Sequence, residues 1–166
     1  QVTVGDNYGR MKEVVATAVS RADIVILTGG LGPTEDDLTK EVCAEVMGME
    51  LVEDPHTRQH IEEFFHNNIY REIPANNWKM TTVPRGARVL DNHNGMAPGL
   101  ILEKEGRTAI LLPGPPGELY PMFEQQVFPY LETRENASLV SKTLKICGHG
   151  ESQVEERILD LIDSQT

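Results

Sequence analysis

Aromatic side chains are scarce in this sequence: Phe, Trp and Tyr make up 5% of its 166 residues, against 39% hydrophobic residues in all. An interior filled by Val, Ile, Leu, Met and Ala suits buried parallel strands better than an aromatic-rich β-sandwich. No apolar run approaches the ~18 residues that a membrane span needs, and no signal-peptide pattern opens the chain. The expectation is a cytoplasmic protein with no membrane partner. Cysteine is also rare. Cys43 and Cys147 lie far apart and form neither a disulfide framework nor a metal motif, so both are expected as buried, reduced thiols. Positive charge is in deficit, with 15 Lys and Arg against 26 Asp and Glu and a net charge of −11. Such a surface repels nucleic acid, so no nucleic-acid partner is expected. Any anionic ligand must then be held by local features.

The length suffices for one domain with a real core and the start of a second. Residues 1–131 read as the first, and 139–166 as the beginning of a small α+β domain after a linker. Gln1 is not an initiator Met, and Val2-Thr3-Val4 reads as a strand already under way. The chain therefore reads as part of a longer one, its first strand lying upstream.

Met11, Val14, Val15, Ala18 and Val19 recur at helical spacing. Ile24 to Leu27 follow as an unbroken apolar strand, expected to be buried on both faces. Strand, helix and strand in this order make a βαβ unit. A second helix is expected from about Glu35, stopped by Gly48, and a third from Pro55 to about Asn67. Met49 to Val52 read as a short edge strand, and Arg88 to Leu90 as a brief strand. Gly99–Glu103 and Thr108–Leu112 read as a hairpin. A further helix carries Leu119, Met122, Phe123 and Val127. Past the linker, Leu139 to Cys147 read as a strand, and Ser152 to Ile162 as a helix with Ser152 and Glu155 as a capping box. The expected fold class is α/β with buried parallel strands.

The most informative segment is Gly29-Gly30-Leu31-Gly32-Pro33-Thr34. A buried strand runs into it and a helix follows. Glycines allow positive φ and close approach to a ligand, and the first turn of a helix offers free N–H groups to an anion. Open α/β sheets bind ligands outside the carboxyl ends of their strands. A P-loop is ruled out because Gly-Lys-Ser/Thr is absent. Three acids come next: Glu35, Asp36 and Asp37. Helix N-termini favour acids, and Thr34 with Asp37 can cap one. Acids beside a phosphate are costly, at about 4 kcal/mol for a like-charge contact at ~4 Å and an effective dielectric of 20. Either the ligand stands off from them or a divalent metal bridges them, since Mg²⁺ typically uses one or two carboxylates plus substrate phosphates. Asp6, just past a strand end, suits a turn cap and a site residue equally. Two more turns, around Asn94, Gly95 and Pro98 and around Gly114, Pro116 and Gly117, could converge on the same pocket. His56 and His60 read as a solvated face.

Four ordered motifs together resemble the CinA family (competence/damage-inducible proteins). These are Thr28-Gly29-Gly30-Leu31-Gly32-Pro33-Thr34-Glu35-Asp36-Asp37-Leu38-Thr39, Asn94-Gly95-Met96-Ala97-Pro98-Gly99, Leu112-Pro113-Gly114-Pro115-Pro116-Gly117-Glu118, and Lys145-Ile146-Cys147-Gly148-His149-Gly150-Glu151-Ser152. The last resembles the strand that opens that family's small middle domain. The resemblance implies a three-layer α/β/α fold on a mostly parallel sheet, like the molybdopterin-binding MoaB and MogA proteins, commonly a homo-oligomer. It implies hydrolysis of ADP-ribose at its pyrophosphate with a divalent metal, Mg²⁺ or Co²⁺. A non-catalytic module for a molybdopterin-like phosphorylated ligand is the alternative. Two aspartates important in the molybdopterin relatives match Asp6 and Asp37, which become the candidate catalytic residues. Asp37 and Asp36 are the candidate metal ligands. The residues from Gly29 to Thr34 and those named in the two later turns are the candidate ligand contacts. The family's first strand, with its Gly-Thr-Glu turn, has no counterpart here, and Met96 replaces a usual Thr. Nothing resembles the nicotinamide mononucleotide deamidase domain that often follows in CinA proteins.

Overall fold

A computed structural model describes residues 1–67, 72–134 and 141–165. The described chain divides into two units, Gln1–Arg134 and Glu135–Thr166. In chain order the elements of the first are α1 (Tyr8–Arg21), β1 (Ile24–Thr28), α2 (Thr39–Val46), β2 (Leu51–Glu53), α3 (Pro55–Asn67), a 3₁₀ helix (Ala75–Thr81), β3 (Thr82–Pro84), β4 (Arg88–Leu90), β5 (Gly99–Lys104), β6 (Arg107–Leu112), α4 (Pro116–Met122), a π-helical stretch (Phe123–Val127) and α5 (Phe128–Glu132).

The α/β class forms as expected, with helices on both faces of a four-stranded sheet ordered β1-β6-β5-β4. Alternation along β5 and β6 builds the layers. Leu100, Leu102, Ala109 and Leu111 face one side and pack with Met11 and Val15 of α1 and Val42 and Cys43 of α2. Ile101, Ile110 and Leu112 face the other and pack with Leu90, Met122 and Val127. β1 and β6 are parallel, while β6–β5 and β5–β4 are antiparallel. The β5–β6 connection is a two-residue turn with Glu105 and Gly106 both at positive φ, as a type I′ hairpin requires. β2 and β3 make a separate antiparallel pair. A third cluster, Ile61, Phe65 and Met80, joins α3 to the 3₁₀ helix.

Several local expectations change. Val2 to Val4 belong to no strand among the described residues. β1 is not buried on both faces: Ile24 and Ile26 are exposed, because β1 has a ladder neighbour on one side only among the described residues. α2 begins at Thr39, not near Glu35. Residues 35–37 form a turn instead, closed by side chains described below. The helix expected after Pro113 is interrupted. Pro121 lies inside α4 and lacks the N–H that would continue the ladder, and the wider π turn follows directly.

In the second unit the expected strand over 139–147 does not form at residues 141–147, and residues 139 and 140 lie outside the described ones. Cys147 is consequently exposed, not buried. The expected helix is two shorter ones, α6 (Glu151–Arg157) and α7 (Leu159–Asp163), parted at Ile158. Gly150 rather than Ser152 precedes α6, and the Gly150 amide donates to Gln153 Oε1 at 3.3 Å.

Cys43 is fully buried, and burial pushes its thiol pKa up to about 12. Only the thiolate reacts. With a disulfide-exchange reagent at pH 8, one thiol per folded chain should react quickly, and it should map to Cys147. The second should react only after denaturation; two fast thiols in the folded chain would contradict this packing. Leu102→Ala, at a fully buried position, should cost about 2–5 kcal/mol in urea unfolding of the first unit.

Candidate functional site

The sheet gathers three loops at one end. β1 and β6 run parallel, so Thr28 and Leu112 end side by side. β5 runs the other way, so its first residue, Gly99, pairs with the last residue of β4, Leu90. The turns after β1 and β6 and the β4–β5 loop therefore leave from the same edge. This is the end at which open α/β sheets take ligands.

The contact between the first two turns is direct. Gly29 N–H donates to the Leu112 carbonyl at 2.9 Å, which extends the β1–β6 ladder by one bond. A Cβ on Gly114 would lie 3.5 Å from Gly29 Cα. Gly29 and Gly30 both have positive φ, at 89° and 68°. Gly30 is also wedged against α2: its carbonyl accepts from Thr39 N–H at 3.1 Å, and a Cβ there would lie 2.3 Å from Thr39 Oγ1.

The rest of the first loop folds over its own side chains. Leu31 points into the core at 7% exposure, so only its backbone is open to a ligand. Asp37 Oδ2 accepts from the Thr34 amide at 3.0 Å and the Thr34 hydroxyl at 2.6 Å. That pair draws residues 34–37 into a turn and delays the helix to Thr39. Gly32 backs onto the same carboxylate, and a Cβ there would meet Oδ2 at 2.6 Å. Asp36 is exposed. The Thr34 hydroxyl, its own backbone and the Lys79 ammonium hold its pKa below the usual carboxylate value, against slight desolvation.

The β4–β5 loop is tied down by amide side chains. Asn92, 2% exposed, donates from Nδ2 to the Ala97 carbonyl at 2.8 Å and Glu118 Oε2 at 2.6 Å. Its Oδ1 accepts from the Asn94 amide at 3.1 Å. Asn94 Nδ2 donates to the Gly117 carbonyl at 2.8 Å. That carbonyl sits four residues before Pro121, whose missing N–H leaves it without a helical partner. Gly95 is packed so closely that a Cβ would lie 2.2 Å from Glu118 Oε2. Pro98 is buried and serves packing. Gln126 clamps the loop's start, accepting from Asp91 N–H at 3.0 Å and donating to its carbonyl at 2.8 Å. α3 holds the outer side. His60 Nε2 donates to the Gly95 carbonyl at 3.1 Å, and His56 Nε2 lies 2.6 Å from Asp91 Oδ1. His56 is solvated as expected, with its side chain 62% exposed, while His60 is half-buried, and both also tie the loop.

Asp6, Gly29, Gly30 and Thr39 line one trough of about 940 Å³ that runs on along β1 beside Ile26 and Met11. Glu13, Thr17 and Arg21 of α1 line it together with the apolar side chains, and one end of it reaches the Gly29–Gly30 turn. Gly114, Pro116 and Gly117 are exposed next to that turn. Asp36 and Asp37 are not among the residues lining the trough. No group of three or more His, Cys, Asp or Glu side chains placed to hold a metal occurs among the described residues. Sequence reasoning missed Asn92, Glu118, Lys40 and Lys79. The Asn92-x-Asn94 spacing of an Asx turn was a readable signal for the first. The lysines act across distances in sequence that leave no local trace.

Residues 1–133 match the family described as "Probable molybdopterin binding domain". Over its full length the chain is 52% identical to a "Putative competence-damage inducible protein" of Caldicellulosiruptor bescii. Over 164 residues, 99% of the chain, it is 49% identical to a "CinA-like protein" of Dictyoglomus turgidum. It spans about 40% of the length of these curated relatives. Among solved structures, a CinA protein of unknown function from Thermoplasma acidophilum superposes with a TM-score of 0.68 at 30% identity, covering 75% of this chain and 72% of that one.

Two outcomes follow from the geometry. Gly30→Ala, with positive φ and the Thr39 contact, should cost about 1–3 kcal/mol of stability, whereas Gly114→Ala should stay within ~0.5 kcal/mol. Equal effects would contradict the turn geometry. The Asp91 hydrogen bond, then its charge, raises the His56 pKa. A raised folded-state value favours folding below the unfolded pKa, and that contribution disappears as pH rises through the folded pKa. In an NMR titration, Asp91→Asn should move the His56 midpoint down.

Proposed function

The chain belongs to the CinA family as a domain of the molybdopterin-binding, MoaB/MogA-like type, and from that premise we propose that it binds a pyrophosphate-bearing nucleotide of the ADP-ribose class at the Gly29–Gly30 turn and hydrolyses it. The observation that carries this reading is the shared trough: Asp6, Gly29, Gly30 and the first residue of α2, Thr39, line one cavity that runs along β1 and reaches the ligand-binding end of the sheet.

The pyrophosphate belongs at the end of the trough that reaches the Gly29–Gly30 turn. Positive-φ glycines let it approach the backbone, and the N-terminus of α2 lies behind them. Asp6 stands at the same cavity, placed to hold or take a proton from an attacking water. The exposed Gly114–Gly117 turn borders Gly29 and suits the nucleotide's second phosphate or ribose. Asn92 and Glu118 hold the third loop in place: Asn92 spends its amide on the Ala97 carbonyl, the Asn94 amide and Glu118 Oε2.

The donor set suits a cation shared between protein and ligand better than one caged by protein alone. Asp36 is ionised and exposed, and Asp37 keeps Oδ1 apart from its bonds to Thr34. Mg²⁺ commonly accepts one or two carboxylates completed by substrate phosphates. Such a metal would polarise a phosphoryl oxygen and acidify an attacking water. A second reading, binding without hydrolysis, is favoured by one observation: Asp37 Oδ2 is already engaged by the Thr34 amide and hydroxyl.

One assay separates the readings. With ADP-ribose and Mg²⁺ or Co²⁺, hydrolysis should release AMP and ribose 5-phosphate, and a chelator should stop it. Saturable binding without product supports the second reading, and neither binding nor product overturns both. Asp37→Asn retains an acceptor for Thr34, so it should preserve the turn while kcat falls by about 10²-fold or more. Unchanged turnover removes Asp37 from the chemistry.

A further inference from the structure

The acidic turn has a positive counterpart from a distant part of the chain. Lys79, in the 3₁₀ helix, sends its ammonium to two backbone carbonyls of that turn, Thr34 O at 2.7 Å and Asp37 O at 2.5 Å. The contact is returned. Lys40, in the first turn of α2 and only 6% exposed, donates from Nζ to the Lys79 carbonyl at 2.6 Å and to Thr82 Oγ1 at 3.1 Å. Glu41 Oε1 lies 3.5 Å from the same nitrogen. Each lysine side chain therefore grips the backbone of the segment that carries the other.

This clasp resolves a difficulty in the sequence. Three consecutive acids beside an anion site call for positive charge, and the local sequence has none before Lys40. A buried ammonium is tolerated only when its donors are matched, and Lys40 has three partners. Desolvation holds its pKa below the ordinary lysine value, with Glu41 opposing that shift. Lys79 sits on the carbonyls of the same two residues whose side chains close the turn. Backbone carbonyls drawn to one point repel each other unless a cation lies between them. Removing the ammonium takes away the turn's anchor to the 3₁₀ helix and leaves the Thr34–Asp37 pair to hold its shape alone.

We propose that Lys79 is the positioning residue of the acidic turn: seated on the carbonyls of Thr34 and Asp37, and held through its own carbonyl by Lys40, it fixes where Asp36 and Asp37 present their carboxylates. The consequence for turnover rests on the function proposed above, whereas the clasp itself does not. A compact ammonium fits between two carbonyls where the planar guanidinium fork does not. Arginine is therefore a poor substitute at this position.

The test compares amide hydrogen exchange and ADP-ribose kinetics in the full chain, in Lys79→Met and in Lys79→Ala with and without ethylammonium. In Lys79→Met the Thr34 and Asp37 amides should exchange about tenfold faster or more, while β5 and β6 amides keep their protection. The kcat should fall about tenfold with KM within about threefold, because the carboxylates are displaced while the glycine turn is intact. Ethylammonium should restore part of the protection in Lys79→Ala by reoccupying the space between the carbonyls. Unchanged exchange at Thr34 and Asp37, or no rescue by ethylammonium, overturns the proposal. Should Lys79→Met also lose protection in β5 and β6, Lys79→Arg decides: faster exchange confined to the turn supports the proposal, and wild-type exchange there overturns it. If the unmutated chain neither binds nor hydrolyses ADP-ribose, the function fails while the exchange result still judges the clasp.

Discussion

The hydrogen bond from Gly29 N–H to the Leu112 carbonyl is the constraint on which the site depends. It continues the parallel β1–β6 ladder one residue past the strands and locks two glycine-bearing turns together. Parallel pairing is what makes this possible, because both strands then finish at the same edge. The antiparallel β5 brings the β4–β5 loop to that edge by the opposite route, starting where β6 ends. Three loops far apart in sequence thus meet because of strand direction alone.

Each loop is then held by a different device. Side-chain oxygens do the work in the first, where Asp37 closes on Thr34. A proline does it in the second, since Pro121 leaves the Gly117 carbonyl free for Asn94. Amides do it in the third, where Asn92 and Gln126 use their capacity on backbone groups. The polar groups that the turns would otherwise leave exposed or unmatched are largely satisfied, as a preorganised site needs. What remains open is the backbone at Gly29–Gly30, the Asp6 carboxylate and the exposed Gly114–Gly117 turn.

Much of the fold was legible because its signals are local. The β5–β6 hairpin around its Glu105-Gly106 turn, the helix from Pro55 to Asn67 and the Gly48 stop follow from residues within a few positions of one another. The glycine turns, too, were visible from composition. The failures have physical reasons. An unbroken run such as Ile24 to Leu27 records apolar character and not the number of neighbouring strands, so an exposed face was read as buried. α2 begins later than its acidic start suggests, because the Thr34–Asp37 bonds close a separate turn and do not cap the helix. Cys147 was expected in a strand that does not form at residues 141–147. Lys79 could not be found at all, since its partners lie 45 and 42 residues away. With Lys79 in place, the acids no longer demand a metal on electrostatic grounds alone, which moves the weight of the metal argument onto the ligand's own phosphates.

The central claim is that these three loops form one nucleotide-binding edge. Titrating ¹⁵N-labelled protein with ADP-ribose and following amide chemical shifts tests it most directly. The account predicts that the shifts concentrate at Gly29, Gly30, Thr39 and the amides of Gly114 to Gly117, with smaller effects at Asn94 and Gly95. Shifts confined to α3 or α5, or none at saturating nucleotide, would contradict it.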